Sequence, residues 1–468
     1  MREFAQQPLA LSLFATLAVV NVGLGVMLGT ERMEGAALAV VPLLAVAVGA
    51  LIASNRAILV YAAIAMNLLL PLPLTGALPL DIPVEIYLPD VLVLLAVGSW
   101  VAAWLVNPKA TRPSSLRTQV LGWPLLLFGV ALVVALARGH ERYGTSLVSV
   151  PLRMLVYAGI AFAMTDLEPR KAYRWLVILF YGGTVWQVLV ALYGVATGTS
   201  ATDQVLLSTG GERVLAGSTA MFMTGALLLA LLNVDLDHRA GRTGLHLLMA
   251  GLATFALVYT FQRTTFALVA LLVPLFLLAF SRIRSRTAAF LPLCAPFIVL
   301  AVILIPRADP HFFPTLADRI TATSSSDANV KWRREAYAAV WAQAKEAPIT
   351  GVGFGRPASF VLNDVRTTVG QDPHNQFLYL WAGGGLLLFG SFILLLAVYL
   401  WESWRRFSTA SGVERRLIFW AVSLWFVFVV NSLTGIVLTQ PYLLLPFWIL
   451  MVLPMIVRPG GRGDESQA

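Results

Sequence analysis

Charged side chains are scarce in this chain. They make up 12% of its 468 residues, against 58% hydrophobic, and the mean hydropathy is +0.79. A soluble domain carries about 25% charge, so the shortfall excludes a soluble globular protein. Cysteine is nearly missing too. The single Cys294 lies inside an apolar block, which excludes an intrachain disulfide and a thiolate metal cluster. There are no alternating segments of the kind that build a membrane barrel. There is also no His-Glu-x-x-His metal motif, no P-loop and no Gly-x-Ser-x-Gly elbow. The first apolar block has neither a basic leader nor a convincing cleavage site, and reads as a retained helix rather than a signal peptide. The net charge of +9 is dispersed over short loops, which argues against a nucleic-acid partner.

Long apolar blocks without an amphipathic period fill most of the sequence. They lie near 8–29, 35–53, 57–74, 88–106, 120–137, 148–165, 175–196, 214–232, 245–262, 264–280, 287–305, 376–400, 417–437 and 442–457. Each approaches the roughly 20 residues that cross a bilayer as a helix. The expected fold is therefore all-α, a polytopic membrane protein of about 12–14 transmembrane helices. Residues 1–305 should hold about eleven of these helices and 375–457 about three, with 306–374 a large loop between them and 458–468 a tail. The pairs 245–280 and 417–457 are tight hairpins that leave room for partly re-entrant segments.

Basic residues sort by loop. Lys109, Arg112 and Arg117; Arg170, Lys171 and Arg174; Arg239 and Arg242; Arg282, Arg284 and Arg286; Arg405, Arg406, Arg415 and Arg416; and Arg458 and Arg462 all fall on one side if the blocks alternate. The opposite loops are poorer in base, and one carries Asp81, Glu85 and Asp90. The positive side is cytoplasmic by the usual rule. Both termini are then expected in the cytoplasm, with the loop 306–374 outside it.

That loop is too long to be filler. Trp332, Tyr337, Val340 and Trp341 recur at helical spacing from about Ala328 to Glu346. Ser324–Asp327 offers an N-cap, and Pro348 with Gly351 a stop. The helix is expected to lie over the membrane mouth with its aromatic face down and Arg333, Arg334 and Lys345 turned to anions. The loop closes on His374-Asn375, where the chain re-enters an apolar, glycine-rich run.

His374 is placed for proton chemistry on a lipid-linked substrate, against the plainer reading of an interfacial histidine bonded to a carbonyl. Arg213 precedes an apolar block, where a snorkelling interfacial arginine is the competing reading. Arg263 sits at the tip of an apolar hairpin, with Gln262, Thr264 and Thr265 as its polar company; such a guanidinium is costly unless it meets an anion or a wet cavity. Arg333 and Arg334 sit on the loop helix, and one of them is expected to be an ordinary solvated charge. Guanidinium forks bind phosphate oxygens in pairs, and a lipid diphosphate places its head group at this height. Asp235-Leu236-Asp237 mimics a metal-holding Asp-x-Asp, but it falls on the cytoplasmic side and reads as a solvated charge pair. No metal site and no cofactor is expected.

The segment Arg333–Gly390 resembles the O-antigen ligase and O-antigen polymerase superfamily of bacterial inner membranes. Members show an arginine, an aromatic four residues on, a proline, a glycine turn, then His-Asn and an aromatic-leucine pair before a glycine-rich helix. Here these are Arg333, Tyr337, Pro348, Gly351-Val352-Gly353, His374-Asn375 and Phe377-Leu378. The aromatic is more often tryptophan in the family, and its usual glutamate is replaced here by Ala382-Gly383-Gly384-Gly385. Gln262-Arg263-Thr264-Thr265 and Arg213 before Leu215-Ala216-Gly217 match the family's membrane arginines loosely. The first 200 residues match only as apolar spans.

The resemblance implies a GT-C-like, membrane-embedded glycosyltransferase of the cytoplasmic (inner) membrane. Its donor would be an undecaprenyl-diphosphate-linked glycan, and its acceptor a hydroxyl on a glycan, a lipid-linked glycan or a protein. In that scheme His374 takes the acceptor proton, Arg213, Arg263 and Arg333 hold the diphosphate, and Asn375, Arg334 and Tyr337 support them. Direct displacement predicts inversion at the anomeric carbon. The rival from another class is a lipid-linked oligosaccharide flippase, for which the sequence shows no internal repeat.

Overall fold

The computed structural model describes residues 61–68 in part, 87–106, 119–144, 149–164, 167–197, 215–236, 240–280, 283–285, 314, 317, 328–362, 365–369, 373–435 and 437–457. Arg213, Cys294, the Ser324–Asp327 cap, the apolar blocks before residue 57 and at 287–305, and the tail 458–468 lie outside these residues. The helices are α1 (Leu88–Val106), α2 (Gln119–Tyr143), α3 (Ser149–Ala158), α4 (Ile160–Ala163), α5 (Pro169–Thr197), α6 (Gly217–Leu236), α7 (Ala240–Val258) and α8 (Arg263–Ala279). They continue with α9 (Ala328–Glu346), α10 (Gln376–Thr409), α11 (Gly412–Ser432) and α12 (Pro441–Val452), which ends in a 3-10 turn, Leu453–Ile456. Among the described residues five helices are long and apolar enough to cross a membrane, namely α2, α5, α6, α7 and α10. The chain is a helical, multi-pass membrane protein.

The expectation of an all-α chain needs one correction. The loop also holds an antiparallel hairpin, β1 (Ala358–Leu362) and β2 (Val365–Val369), in register from Ala358↔Val369 to Leu362↔Val365. Its cause is local: β-branched and aromatic residues flank a two-residue Asn363-Asp364 connection, which favours a hairpin.

Helix α6 is the hub. It is apolar all round and buried from Ala220 to Asp235, the pattern of a helix enclosed on every side. Helices α5, α7, α8 and α11 pack against it. Gly225 makes room for Phe180 and Leu424, and its carbonyl accepts from Trp420 Nε1 at 2.8 Å. Helices α2 and α10 form the second large contact, with Phe128 against Phe392 at 5.5 Å.

Contacts sort the helix ends into two sets. At one end Tyr173 Oη donates to Asn233 Oδ1 at 3.0 Å, Arg416 pairs with Asp235, and Arg406 donates to the carbonyls of Met455 and Val457. Asp235 is thus a buried interhelical ion-pair partner and not the solvated charge expected from the sequence: α6 continues through it to Leu236, where α11 presents Arg416. The opposite end carries α9, the residues that follow it, the start of α8 and the end of α11. There too Asp90 caps α1, accepting from the Tyr87 amide at 2.8 Å, from Tyr157 Oη at 2.7 Å and from Arg153 Nε at 3.2 Å.

Candidate active site

Helix α9 spans Ala328–Glu346, as the sequence periodicity predicts, but it docks on small residues. Ala336, Val340 and Ala344 form the buried stripe, facing Ala382, Ala358 and Phe360. The aromatics flank that stripe instead of forming it. Trp332 meets Phe360 edge-on at 6.1 Å, and Trp341 meets Trp381 at 4.9 Å while staying 40% exposed. Alanines let the helix approach α10 and the hairpin closely, and this closeness brings Trp332 and Tyr337 to His374.

Helix α10 is broken, and the break determines where its first segment points. Gly385 has φ 66° and ψ −167°, outside helical geometry. The segment after α9 enters the gap. Val352 N donates to Ala382 O at 2.9 Å and Gly353 N to Gly383 O at 3.0 Å, while Leu386 N donates to Pro348 O at 2.8 Å and Leu387 N to Ile349 O at 3.1 Å. Those four groups would have bonded one another in a continuous helix, so the inserted backbone replaces both lost rungs. Gly351 (φ 69°) and Gly385 permit the approach, because a Cβ on either would collide with the facing backbone. From α2, Arg138 Nη1 donates to Thr350 O at 2.9 Å and Arg142 Nη1 to Val352 O at 3.2 Å.

His374 precedes this first segment of α10. Its φ is 54°, a left-handed conformation that is uncommon for a non-glycine residue. Three contacts hold it there. Tyr337 Oη donates to the His374 carbonyl at 3.0 Å, Trp332 packs edge-to-face on the imidazole at 5.1 Å, and Asn375 caps α10 by accepting from Leu378 N at 3.0 Å. Burial, and secondarily the Arg333 guanidinium, lower the imidazole's pKa below its ordinary 6.5. The ring is therefore neutral at pH 7 and able to accept a proton.

The two arginines of the loop helix differ. Arg333 is half-buried and acts on His374 electrostatically. Arg334 points away, its side chain 74% exposed and paired with Glu335 at 3.0 Å. Arg263 is the first residue of α8, so its guanidinium adds to the positive end of that helix. Its neighbours anchor to the end of α11: Gln262 Nε2 donates to Asn431 Oδ1 at 3.0 Å, and the Thr264 and Thr434 hydroxyls lie 3.4 Å apart. Tyr337 Oη also reaches Leu433 O, at 3.3 Å. One turn, Asn431–Thr434, thus holds the segment around Arg263 and the tyrosine that fixes His374. The sequence reading did not single out Trp332 as a contact of His374, or Arg138 and Arg142 as supports of the inserted segment. The spacing Trp332-x-x-x-x-Tyr337 was visible, but which faces it served depends on the hairpin and on the break. Among the described residues no group of histidine, cysteine and carboxylate side chains is disposed to hold a metal.

No curated protein matches the chain. Residues 248–393, which run from within α7 through α8, the loop and the broken start of α10, match the family model described as O-antigen ligase. That span contains Arg263, Arg333, Tyr337 and His374, and over it the chain is similar to the O-antigen ligase family.

Proposed function

We propose that the protein is a membrane glycosyltransferase of the O-antigen ligase or surface-polysaccharide polymerase type. It moves a glycan from an undecaprenyl-diphosphate donor to an acceptor hydroxyl at the extracytoplasmic face of the bacterial cytoplasmic membrane. The observation that carries the reading is a neutral, conformationally fixed histidine beside Arg333, joined through one turn to the helix start that bears Arg263. His374 accepts the acceptor hydroxyl's proton as that oxygen attacks the anomeric carbon. The carbon–oxygen bond to the diphosphate breaks on the opposite side, so the product is inverted. Arg263 and Arg333, with Arg213, hold the departing diphosphate and offset its developing charge. Tyr337 and Asn375 position His374, while Arg334, exposed and paired with Glu335, stays on the solvated face of α9. The acceptor is a glycan or a lipid-linked glycan.

The orientation is supported by the basic residues of the short loops, which alternation of the apolar blocks puts on the side opposite residues 306–374. Both termini are then cytoplasmic. The test is transfer by purified protein in lipid, with an undecaprenyl-diphosphate glycan and an acceptor glycan. Wild type should turn over, and His374→Ala and Arg263→Gln should each lose at least about a hundredfold in rate, the usual scale for removing a proton acceptor or a charge-stabilising donor. Full transfer by His374→Ala would remove the proposed base.

A further inference from the structure

Helices α2 and α10 pack antiparallel, with Phe128 against Phe392 at one level and Gly139 against the inserted Gly353 and Phe354 nearer the loop. Both present bare apolar side chains on their outer surface. Val130 is 54% exposed, Val134 48%, Leu386 54% and Leu387 55%. The stripe on α2 runs through Val130 and Val134 at four-residue steps and arrives at Arg138 and then Arg142. Each of these arginines donates one Nη1 bond to the inserted backbone; Arg142 is exposed and Arg138 half-exposed, and neither makes a further side-chain bond among the described residues. Glu141 on the same turn is exposed and, among the described residues, pairs with neither. Next to them Arg356 is neutralised by Glu346, and Lys345 lies over Trp341 at 5.8 Å. An exposed apolar face of membrane-spanning helices, ending in two guanidiniums at head-group height, matches a lipid in both parts: acyl chains along the stripe and a phosphate at the arginines.

We infer that the α2–α10 face is a binding site for an anionic phospholipid, whose phosphodiester is held by Arg138 and Arg142. The site is separate from the His374 centre. It touches the inserted segment directly, because the same two guanidiniums hold Thr350 and Val352. Lipid bound there braces the stitch that sets the first segment of α10, and the inference does not depend on which reaction His374 serves.

The test is native mass spectrometry of the purified full chain with phosphatidylglycerol and phosphatidylcholine offered together, and with undecaprenyl phosphate in a parallel arm. Wild type should retain phosphatidylglycerol over phosphatidylcholine by about tenfold or more, each arginine near the surface contributing about 1 kcal/mol. R138Q/R142Q should lose that preference, and R138K/R142K, which keeps the charge and one donor, should retain most of it. Phosphatidylglycerol should also raise the melting temperature of wild type and leave that of the glutamine variant unmoved. If the glutamine variant does not fold, wild type and the lysine variant decide. Equal retention of the two phospholipids by wild type overturns the inference, and so does a site that takes undecaprenyl phosphate but not phosphatidylglycerol.

Discussion

At the scale of single residues the chemistry turns on His374 and its charge. Burial and Arg333 both disfavour the imidazolium, burial more strongly. A base with a lowered pKa stays competent as pH falls, so the acid limb of the transfer rate should have its midpoint below about 6.5. Arg333→Gln should move that midpoint upward while leaving it under the ordinary value, because the larger cause remains. An unmoved limb would mean that Arg333 does not act on the ring. The same shift affects stability. The unfolded chain binds the proton more readily than the folded one, so His374 costs stability as pH drops below about 6.5. Tyr337→Phe removes the bond to the His374 carbonyl and releases a strained backbone; about 1 kcal/mol of stability should go, and transfer should slow by more than that loss explains. Rate and melting temperature measured on one preparation separate the two effects. The sequence made His374 and Arg263 visible because a lone ionisable residue stands out in apolar surroundings. It could not show the left-handed backbone at His374, which depends on contacts from α9 and α11.

At the scale of elements, local signals were legible and long-range ones were not. The nineteen residues of α9 follow from their own spacing and from Pro348 and Gly351 beyond them. The hairpin was equally local and was passed over because its strands, Ala358–Leu362 and Val365–Val369, are short and only partly apolar. The break at Gly385 leaves no trace in hydropathy, since its hydrogen-bond partners come from residues some 35 positions earlier. Gly351→Ala or Gly385→Ala should therefore cost several kcal/mol, combining a positive φ with a backbone collision, and should open the loop to protease. Gly390→Ala is the control: it lies in regular helix with nothing near the new methyl, and should be neutral or gain up to about 1 kcal/mol. Thermal unfolding in detergent compares the three.

At the scale of the whole molecule, opposite ends have different tasks. One end is fastened by Asp235–Arg416 and by Arg406 on the carbonyls of Met455 and Val457. Asp235→Asn alone strands a half-buried guanidinium and should cost about 3 kcal/mol, whereas D235L/R416L together should be far milder. Melting temperatures of the single and double variants test this. The other end carries α9 and the hairpin, which we propose lie outside the cytoplasm from the distribution of basic residues in the short loops. In a Cys294→Ser background, a cysteine at Asn363 should react with an impermeant maleimide in intact cells, and one at Ser411 should not; the reverse pattern would invert the topology. The inserted segment has a consequence for assembly. Ala382, Gly383, Leu386 and Leu387 find their backbone partners only in residues 348–353, which leave the ribosome earlier. Unpaired peptide groups are costly in lipid. Until the segment after α9 is in place, then, α10 must either wait outside the bilayer or enter as an uninterrupted rod and be reopened afterwards. The last fifth of the chain is thus committed to its mature path by a piece of backbone made before it, and the order of synthesis becomes part of how the site is built.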